Sequence, residues 1–335
     1  MRLVSIFVLM LLHFNVTSQS WNPLQPPNTF RSSNNPLYWN NRPPSADYWQ
    51  QDVHYIISAN LDIETDIITG KQRLIYWNNS PDTLNELFFH LYQNAFTPNS
   101  FLGKLRDEKG EDTQYGGYES EGLGTEVLSF KIDGEATQPA LDGSIMYVPL
   151  ENSLLPNSKL TIDLEFKTYF DNAGSSGKRM KKFEHAGSKH FDAVHWYPRI
   201  SVYDRKFGWT TDPHLGSEFY GDHGTFDVQV TTASNMILDG TGFLRNRDEV
   251  LPPGLRKKLD IINFKDKPWG EKASVILPYD SNQTKTWKFH AENVHDFGFT
   301  ADPTYRIGEA DAMVDGRIVK CYSLAQEEHA SKWQN

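Results

Sequence analysis

The chain has 335 residues, with 43 acidic and 33 basic side chains, a net charge of −10 and one cysteine. The acidic balance argues against the phosphate backbone of a nucleic acid as a partner, and a single cysteine excludes both a disulfide framework and a thiolate zinc cluster. The length is sufficient for one large all-β domain or two smaller domains.

The N-terminal segment has the pattern of an export signal. Arg2 provides a positive start, Leu3 to Phe14 form an apolar run, and the small Ser18 follows. The run is shorter than the roughly 20 apolar residues that cross a bilayer. We therefore predict a signal peptide over residues 1–18, no membrane span, and a secreted or periplasmic location.

Two segments with different patterns follow the predicted signal. Residues 19–46 are rich in Asn, Pro and Ser without a hydrophobic period, which predicts a linker. From residue 47 onward, apolar positions alternate with polar ones, as in Tyr55, Ile57 and Ala59, which is the period of a half-buried strand. We predict a β-domain over residues 47–322.

The β-domain is predicted to be an antiparallel assembly. Residues 74–77, a turn at 78–82 and residues 87–92 predict a strand–turn–strand meander. Similar patterns predict strands at 126–132, 145–150, 160–166, 226–231, 274–277 and 286–290. The fold class is therefore mainly β, with a large antiparallel sheet or sandwich.

Three other segments are predicted to lie outside the strands. Residues 99–125 and 171–182 are rich in glycine and charge, which predicts exposed loops, the second with a solvated basic run at Lys178, Arg179, Lys181 and Lys182. Residues 323–335 contain good helix formers, so we predict the start of a truncated helical segment there.

The eleven histidines form no recognisable metal site. A catalytic zinc needs three protein ligands and one open position, and the chain has no His-Glu-x-x-His pair. His185, His190 and His195 are five residues apart, so on a single strand they would not converge without a bulge. Glu327, Glu328 and His329 are contiguous and would diverge on a helix. We predict no metal ligand and no catalytic residue in this chain.

The most distinctive motif starts with His195-Trp196-Tyr197-Pro198-Arg199 and continues through Gly208-Trp209, Asp212-Pro213, Gly216 and Glu218-Phe219. Together with the blocks at residues 90–96 and 294–297, it resembles the N-terminal β-domain of bacterial aminopeptidase N-like (gluzincin) zinc metallopeptidases. The resemblance covers residues 47 to about 333, with the blocks in the same order.

This resemblance implies a saddle-like, non-catalytic domain of a secreted zinc aminopeptidase-type hydrolase, present as a fragment that ends before the catalytic domain. Zinc would be held by that missing domain and by no residue of this chain, which would be inactive alone. Peptide substrate would be the partner, reached through the missing domain, whose cleft this domain would shape.

The resemblance also gives candidates for the substrate cleft. His195 stands where relatives carry a glutamine that we place near the cleft, and Trp196 and Tyr197 follow it. Core packing is the alternative for the two aromatic residues, because large aromatic side chains dominate burial. The rival function is a free-standing secreted β-sandwich module that binds carbohydrate or protein. An enzyme domain without its partner should expose a large apolar face, whereas a finished module should not.

Overall fold

The structure is a computed structural model that describes residues 48–171, 178, 180–215 and 220–334. Residues Trp49–Asn335 form one structural unit. The predicted signal peptide and linker, Arg179, and the motif residues Gly216, Glu218 and Phe219 lie outside the described residues.

The described chain is built mainly from short and medium strands. In chain order these are β1 (Asp52–Asp62), β2 (Ile67–Asn78), β3 (Leu84–His90), β4 (Thr125–Ile132), β5 (Glu135–Ala136), β6 (Ala140–Asp142), β7 (Ile145–Leu154), β8 (Ser158–Tyr169), β9 (Lys181–His185), β10 (Ser188–Ala193), β11 (Arg199–Ile200), β12 (Tyr203–Asp204), β13 (Gly208–Trp209), β14 (Gly224–Ala233), β15 (Ile237–Gly240), β16 (Phe243–Leu244), β17 (Thr284–Val294), β18 (Phe299–Asp302), β19 (Tyr305–Val314) and β20 (Arg317–Gln326).

Helices are few and short. They are α1 (Phe101–Glu108), α2 (Gly117–Ser120), α3 (Arg247–Val250) and α4 (Pro253–Leu259), with 3-10 helices at Tyr92–Phe96, Ile261–Asn263 and Glu327–Trp333. Across the part of the chain that the structure describes, no helix has the length and apolar character needed to traverse a bilayer.

The largest sheet has eight strands in the order β16-β17-β14-β1-β2-β8-β4-β5. Two four-stranded sheets, β15-β18-β10-β9 and β11-β3-β7-β6, accompany it. The mainly β fold is as predicted, but the large sheet is mixed, because β1 pairs with β14 in parallel and Tyr55 lies opposite Phe226. Alternation of side chains predicts a strand but not the direction of its partner, so the sequence could not reveal this pair.

The core lies between the eight-stranded sheet and the two four-stranded sheets. Alternate residues of the long strands are buried, including Tyr55 of β1, Leu74 of β2 and Phe166 of β8. Phe166 packs 6.1 Å from Trp196, measured between ring centroids, and a single hydrophobic cluster joins all three sheets. Sheet-on-sheet packing of this kind buries one face of each strand and leaves the other to solvent.

Residues 74–92 do not form the predicted meander. β2 pairs with β1 and β8, whereas β3 belongs to a different sheet and pairs with β7 and β11. The side-chain amide of Asn78 donates hydrogen bonds to the carbonyl oxygens of Asp82 and Leu154, at 2.8 and 3.2 Å. These bonds hold the turn where the chain passes between the layers.

Other segments also differ from their predictions. Residues 99–125 contain α1, whose cap Ser100 accepts a hydrogen bond from the Gly103 N–H, and α2. Lys178 is buried and ion-paired with the equally buried Glu119, rather than solvated. A charged side chain can be buried when a partner of opposite charge is buried beside it.

Near the C-terminus two predictions were wrong. Residues 274–277 form no strand, because side chains bind the backbone there: Glu327 accepts from the Ser274 N–H and Arg306 donates to the Ser274 carbonyl oxygen. Residues Ser323 to Gln326 continue β20 instead of starting a helix, and only then does the 3-10 helix Glu327–Trp333 begin.

β19 and β20 form a long two-stranded ribbon. Asp315 and Gly316 at its tip both have positive φ, 48° and 76°, which is the backbone of a type I′ hairpin turn. This stretch carried no predicted strand, although Asp-Gly between apolar runs is a strong hairpin signal.

Candidate functional site

The segment 194–198 is an irregular stretch held by side chains from neighbouring elements. Gln93 donates to the carbonyl oxygens of Val194 and His195, at 3.3 and 3.2 Å. Thr168 of β8 donates to the Trp196 carbonyl oxygen at 2.8 Å, and Gln72 of β2 donates to that of Pro198 at 2.9 Å. Buried backbone groups without a strand partner need such bonds, so the sheet fixes the shape of this motif.

His195 has an unusual backbone conformation within this stretch. Its φ is +58°, in the left-handed region that residues with a Cβ rarely adopt. Its ring lies 4.4 Å from that of Tyr92 and 6.0 Å from that of His214. Only 4% of His195 is exposed. A buried residue with left-handed backbone indicates a position that the surrounding structure determines strongly.

Asp296 is the carboxylate at the centre of this cluster. Its Oδ1 accepts hydrogen bonds from the Tyr197 hydroxyl at 2.6 Å and the Phe297 N–H at 2.8 Å. Its Oδ2 lies 3.7 Å from His195 Nε2 and 3.7 Å from Arg199 Nη1. The half-buried Asp296 therefore balances the charge of the buried Arg199.

Arg199 and His90 are both buried, but Arg199 stays charged whereas His90 is neutral. Burial alone would lower the pKa of Arg199, but the nearby Asp296 carboxylate keeps that pKa above its usual range. Burial lowers the pKa of His90 to about 4, so its ring is neutral at neutral pH and its Nε2 lies 3.1 Å from the carbonyl oxygen of Thr210. His90 stacks on Tyr92 with ring centroids 4.9 Å apart.

A pocket of about 460 Å³ lies next to this cluster, within the range of roughly 300–1,000 Å³ that is typical of ligand pockets. His214 connects the two, because its ring lies 5.5 Å from Tyr92 and also lines the pocket. Phe88, Tyr147 and Phe101 give the pocket aromatic walls, and its charged residues are Lys104 and Asp142.

The three predicted cleft residues occupy different environments. Trp196 and Tyr197 are buried in the core, with 0% and 1% exposure, where Trp196 also donates a hydrogen bond to the Phe297 carbonyl oxygen. His195 is buried next to Tyr92 and His214, one ring away from the pocket. Their role in a substrate cleft stays a prediction.

His185 and His190 do converge, contrary to the sequence prediction. Ala186 and Gly187, with φ of 47° and 71°, form a turn between β9 and β10, so the two histidines lie on adjacent strands of a hairpin. His185 Nε2 and His190 Nδ1 lie 2.8 and 2.9 Å from the same oxygen, Oδ2 of Asp302. On a single strand the two histidines would point to opposite faces, which is why the sequence predicted no convergence. Gly187 between two strand-like runs is the signal that indicates a hairpin.

The second nitrogen of each histidine also faces a carboxylate. His185 Nδ1 lies 3.1 Å from Glu328, and His190 Nε2 lies 3.0 Å from Asp192. Burial lowers the pKa of His190, but hydrogen bonds to Asp192 and Asp302 outweigh it and raise that pKa to about 9. Burial would raise the pKa of the Asp302 carboxyl, but its hydrogen bonds with His185 and His190 outweigh burial and lower that pKa below its usual range. The network is an assembly of paired charges.

These residues do not fit zinc. A ligating histidine needs a ring nitrogen with a free lone pair, and in His185 and His190 both nitrogens face carboxylates as donors. Within the described ranges, no group of three or more His, Cys, Asp or Glu side chains is arranged to hold a metal ion.

Comparison with known proteins gives matches only among solved structures. No family model and no curated protein matches the chain. An M1 zinc metallopeptidase from Deinococcus radiodurans is similar with a TM-score of 0.45 and 13% identity, over 82% of this chain and 47% of that one. A mutant of the M1 zinc metallopeptidase from that organism, bound to a Tyr-Ser-Ala substrate, has a TM-score of 0.44 and 14% identity, over 82% and 48%.

A two-domain M1 zinc metallopeptidase mutant bound to L-tryptophan is also similar, with a TM-score of 0.44 and 14% identity, over 84% of this chain and 49% of that one. The chain thus spans about half the length of these structures. At this identity and TM-score the likeness assigns neither a family nor an activity to the chain.

Several residues of the His195 cluster and of the His185–His190 network were not predicted from the sequence to belong to a site. Tyr92, His214 and Asp296 surround His195 although they lie far from it in sequence or outside its motif. Asp302 and Glu328 complete the histidine network from β18 and the last 3-10 helix. Asp296 belongs to one of the blocks that carry the resemblance and Asp302 lies within the range that the resemblance covers, but nothing in their local pattern indicates which side chains they contact.

Proposed function

We propose that this chain is a non-catalytic β-domain of the aminopeptidase N-like type. It shapes the peptide cleft of a zinc-binding domain that lies outside residues 1–335. The parent protein is a secreted or periplasmic peptidase, zinc belongs to the other domain, and peptide reaches this chain only through that domain. The ordered motif blocks of the sequence support the proposal, and the apolar surface of the β19–β20 ribbon carries it.

The outer half of the ribbon exposes apolar side chains to water. Met313 and Ile318 lie opposite each other across the two strands and are 68% and 63% exposed. Ala312 and Val319 form the next pair, on the other face of the ribbon. Apolar side chains exposed on both faces of one hairpin end support a contact with a partner in this proposal.

The outer half of the ribbon is mostly exposed, whereas its inner half is held by the buried Tyr305 and Ile307 and by the Arg247–Glu309 ion pair. An isolated two-stranded hairpin is at best marginally stable in water. Full burial of a side chain such as Met313, Ile318 or Val319 contributes on the order of 1.5–3 kcal/mol. Docking against another domain would therefore stabilise the ribbon and the complex together.

The pocket beside His214 supports a role at a peptide cleft. Its aromatic walls suit an apolar side chain, while Lys104 and Asp142 could hydrogen-bond the polar backbone of a peptide. The rings of His195 and Tyr92 lie 6.0 and 5.5 Å from the ring of His214, measured between centroids, and restrict its orientation. In this proposal His195 acts on substrate through His214.

Sequencing the gene beyond the codon for Asn335 is the first test. We expect a reading frame that encodes a His-Glu-x-x-His helix and a further glutamate ligand. A frame that ends without them would overturn the proposal and favour a free-standing binding module.

The second test uses the longer protein with Met313→Ser and Ile318→Ser together. We expect kcat/KM for an aminoacyl p-nitroanilide to fall about tenfold or more, equivalent to about 1.4 kcal/mol, and proteolysis between the domains to accelerate. Leu155→Ser with Phe243→Ser is the matched control, since these side chains are 58% and 72% exposed and lie outside the ribbon. Equal effects in both double variants would contradict a docking role.

A further inference from the structure

The edge strand β4 is partly unpaired among the residues that the structure describes. One side of β4 pairs with β8, and on the other side β5 pairs only with Lys131 and Ile132. The Thr125 N–H donates to Asn94 Oδ1 at 2.6 Å, but no described strand pairs with the stretch between Thr125 and Phe130. An open strand edge offers backbone N–H and C=O groups to an added strand.

A groove of about 570 Å³ runs along this open edge. Its opposite wall includes Leu141 of β6, which is itself the edge strand of a four-stranded sheet. Buried Leu91, Phe130 and Met146 contribute apolar lining. Two sheet edges therefore border one groove whose lining combines apolar and polar residues.

Two leucines at the groove are exposed without an apolar cover. Leu128 is 53% exposed and Leu141 is 57% exposed. The pairing of β4 with β8 shifts between Val127 and Ser129, so Leu128 is the extra residue of a β-bulge. Bulges are frequent next to binding sites, where they redirect a side chain.

The dimensions and charges of the groove favour one kind of occupant. A volume of 570 Å³ lies within the range of roughly 300–1,000 Å³ that is typical of sites for small ligands, which favours a short segment over a whole globular partner. Glu126 and Lys131, near opposite ends of β4, both line the groove. An extended segment with a basic residue at one end, an acidic residue at the other and β-branched residues between them would complement both charges.

We propose that the groove between β4 and β6 binds an extended peptide segment, which adds a strand to the open edge of β4 and inserts an apolar side chain between Leu128 and Leu141. This site is separate from the pocket beside His214, and its function does not require a zinc-binding domain.

The test uses purified chain and a fluorescein-labelled peptide, Lys-Thr-Val-Val-Thr-Glu, with both ends blocked. We expect saturable binding with a Kd below about 1 mM, and a Kd at least about tenfold higher for Leu128→Glu and for Leu141→Glu. Leu155→Glu is the matched control, because Leu155 is 58% exposed and lies outside the groove. Using two groove variants on different strands guards against a local folding defect in either one.

Backbone pairing is tested separately, because a bulge can also weaken pairing at an edge. The same peptide with N-methyl groups on alternate amides should bind at least about tenfold more weakly. Equal binding of the methylated peptide, equal binding by the groove variants, or no saturation would each overturn the proposal. Concentration-dependent dimerisation that Leu128→Glu abolishes would identify a second copy as the occupant, and would also overturn it.

Discussion

The indole Nε1 of Trp196 donates a hydrogen bond to the backbone carbonyl oxygen of Phe297, 3.0 Å away. This bond joins two of the motif blocks, which are separated by about a hundred residues in the sequence. Both side chains are fully buried, so the bond is shielded from water. The motif around Trp196 is thus first of all a packing element, and its histidine is placed by that packing.

Trp196→Phe should therefore destabilise the domain. It removes the donor and leaves the Phe297 carbonyl oxygen without its partner in the core, which costs about 1–3 kcal/mol. Urea unfolding monitored by far-UV circular dichroism would measure the change. Trp333→Phe, at a tryptophan that is 59% exposed, should have little effect and serves as the control. Equal stability of the two variants would contradict the assigned role.

The His190 network predicts a stability that decreases with rising pH. The pKa of His190 in the folded state, about 9, is above its unfolded value of about 6.5, so its contribution is complete below about pH 6.5 and is lost as pH rises through 9. His190→Gln should be less stable than the wild type at pH 6, and the difference should narrow toward pH 9.5.

The full effect is about 1.4 kcal/mol for each unit by which the pKa is raised. Urea unfolding at several pH values would measure it, with the exposed His223→Gln as the matched control. A difference between wild type and His190→Gln that stays constant across this pH range would show that His190 is not charged in the network.

Asp222 predicts a second pH effect, at lower pH. Burial raises the pKa of Asp222 to about 7, so the stability associated with its protonated form is complete below about pH 4 and is lost as pH rises through 7. Asp222→Asn should remove this loss and be more stable than the wild type at pH 8. The residue is half-buried, so partial solvent screening reduces the gain below the full 1.4 kcal/mol or so per pKa unit.

Thermal or urea unfolding between pH 4 and pH 8 would measure the Asp222 effect. Asp112→Asn, at an exposed aspartate, is the control and should follow the wild type. The prediction fails if Asp222→Asn is less stable than the wild type at pH 8, because the carboxylate would then contribute more through Arg199 than it costs by its burial.

Residues 1–335 alone should neither retain catalytic zinc nor cleave peptides. The sequence has no His-Glu-x-x-His pair, and the two histidines that meet in the core donate to carboxylates. Metal analysis after dialysis and release of p-nitroaniline from aminoacyl substrates would measure both properties. One equivalent of tightly held zinc with chelator-sensitive turnover would refute the prediction.

In the longer protein, His195→Gln tests the predicted cleft role. Because glutamine lacks the ring that packs against Tyr92 and His214, the variant should change the KM for peptide. Urea unfolding of the variant would check that its fold is retained. An unchanged KM would remove His195 from the cleft.

The long strands of the eight-stranded sheet were mostly readable from the sequence, whereas β9, β10, β15, β18, β19 and β20 were not predicted. Positions such as Tyr55 and Leu74 alternate with polar residues because one face of each strand is buried, and this alternation is a local feature of the sequence. Which strands pair is not local. The assignment of β2 and β3 to separate sheets depends on side chains such as Asn78 that bond to distant carbonyl groups.

The candidate site was less predictable for the same reason. His195 was found because it lies in a recognisable motif, whereas Asp296 and His214 meet it only through the folded chain. The convergence of His185 and His190 depends on two residues of positive φ, Ala186 and Gly187. Alanine is an unusual residue for that conformation, so the turn has a weak sequence signal.

The parallel pairing of β1 with β14 determines how late in biosynthesis the centre of the large sheet can close. β1 ends at Asp62, but its parallel partner begins only at Gly224. The β1–β2 hairpin can form soon after synthesis, yet one edge of β1 must wait until most of the chain has been translated. Until β14 is translated, that edge of β1 has no partner strand, and an unpaired strand edge is a place where chains mispair and aggregate.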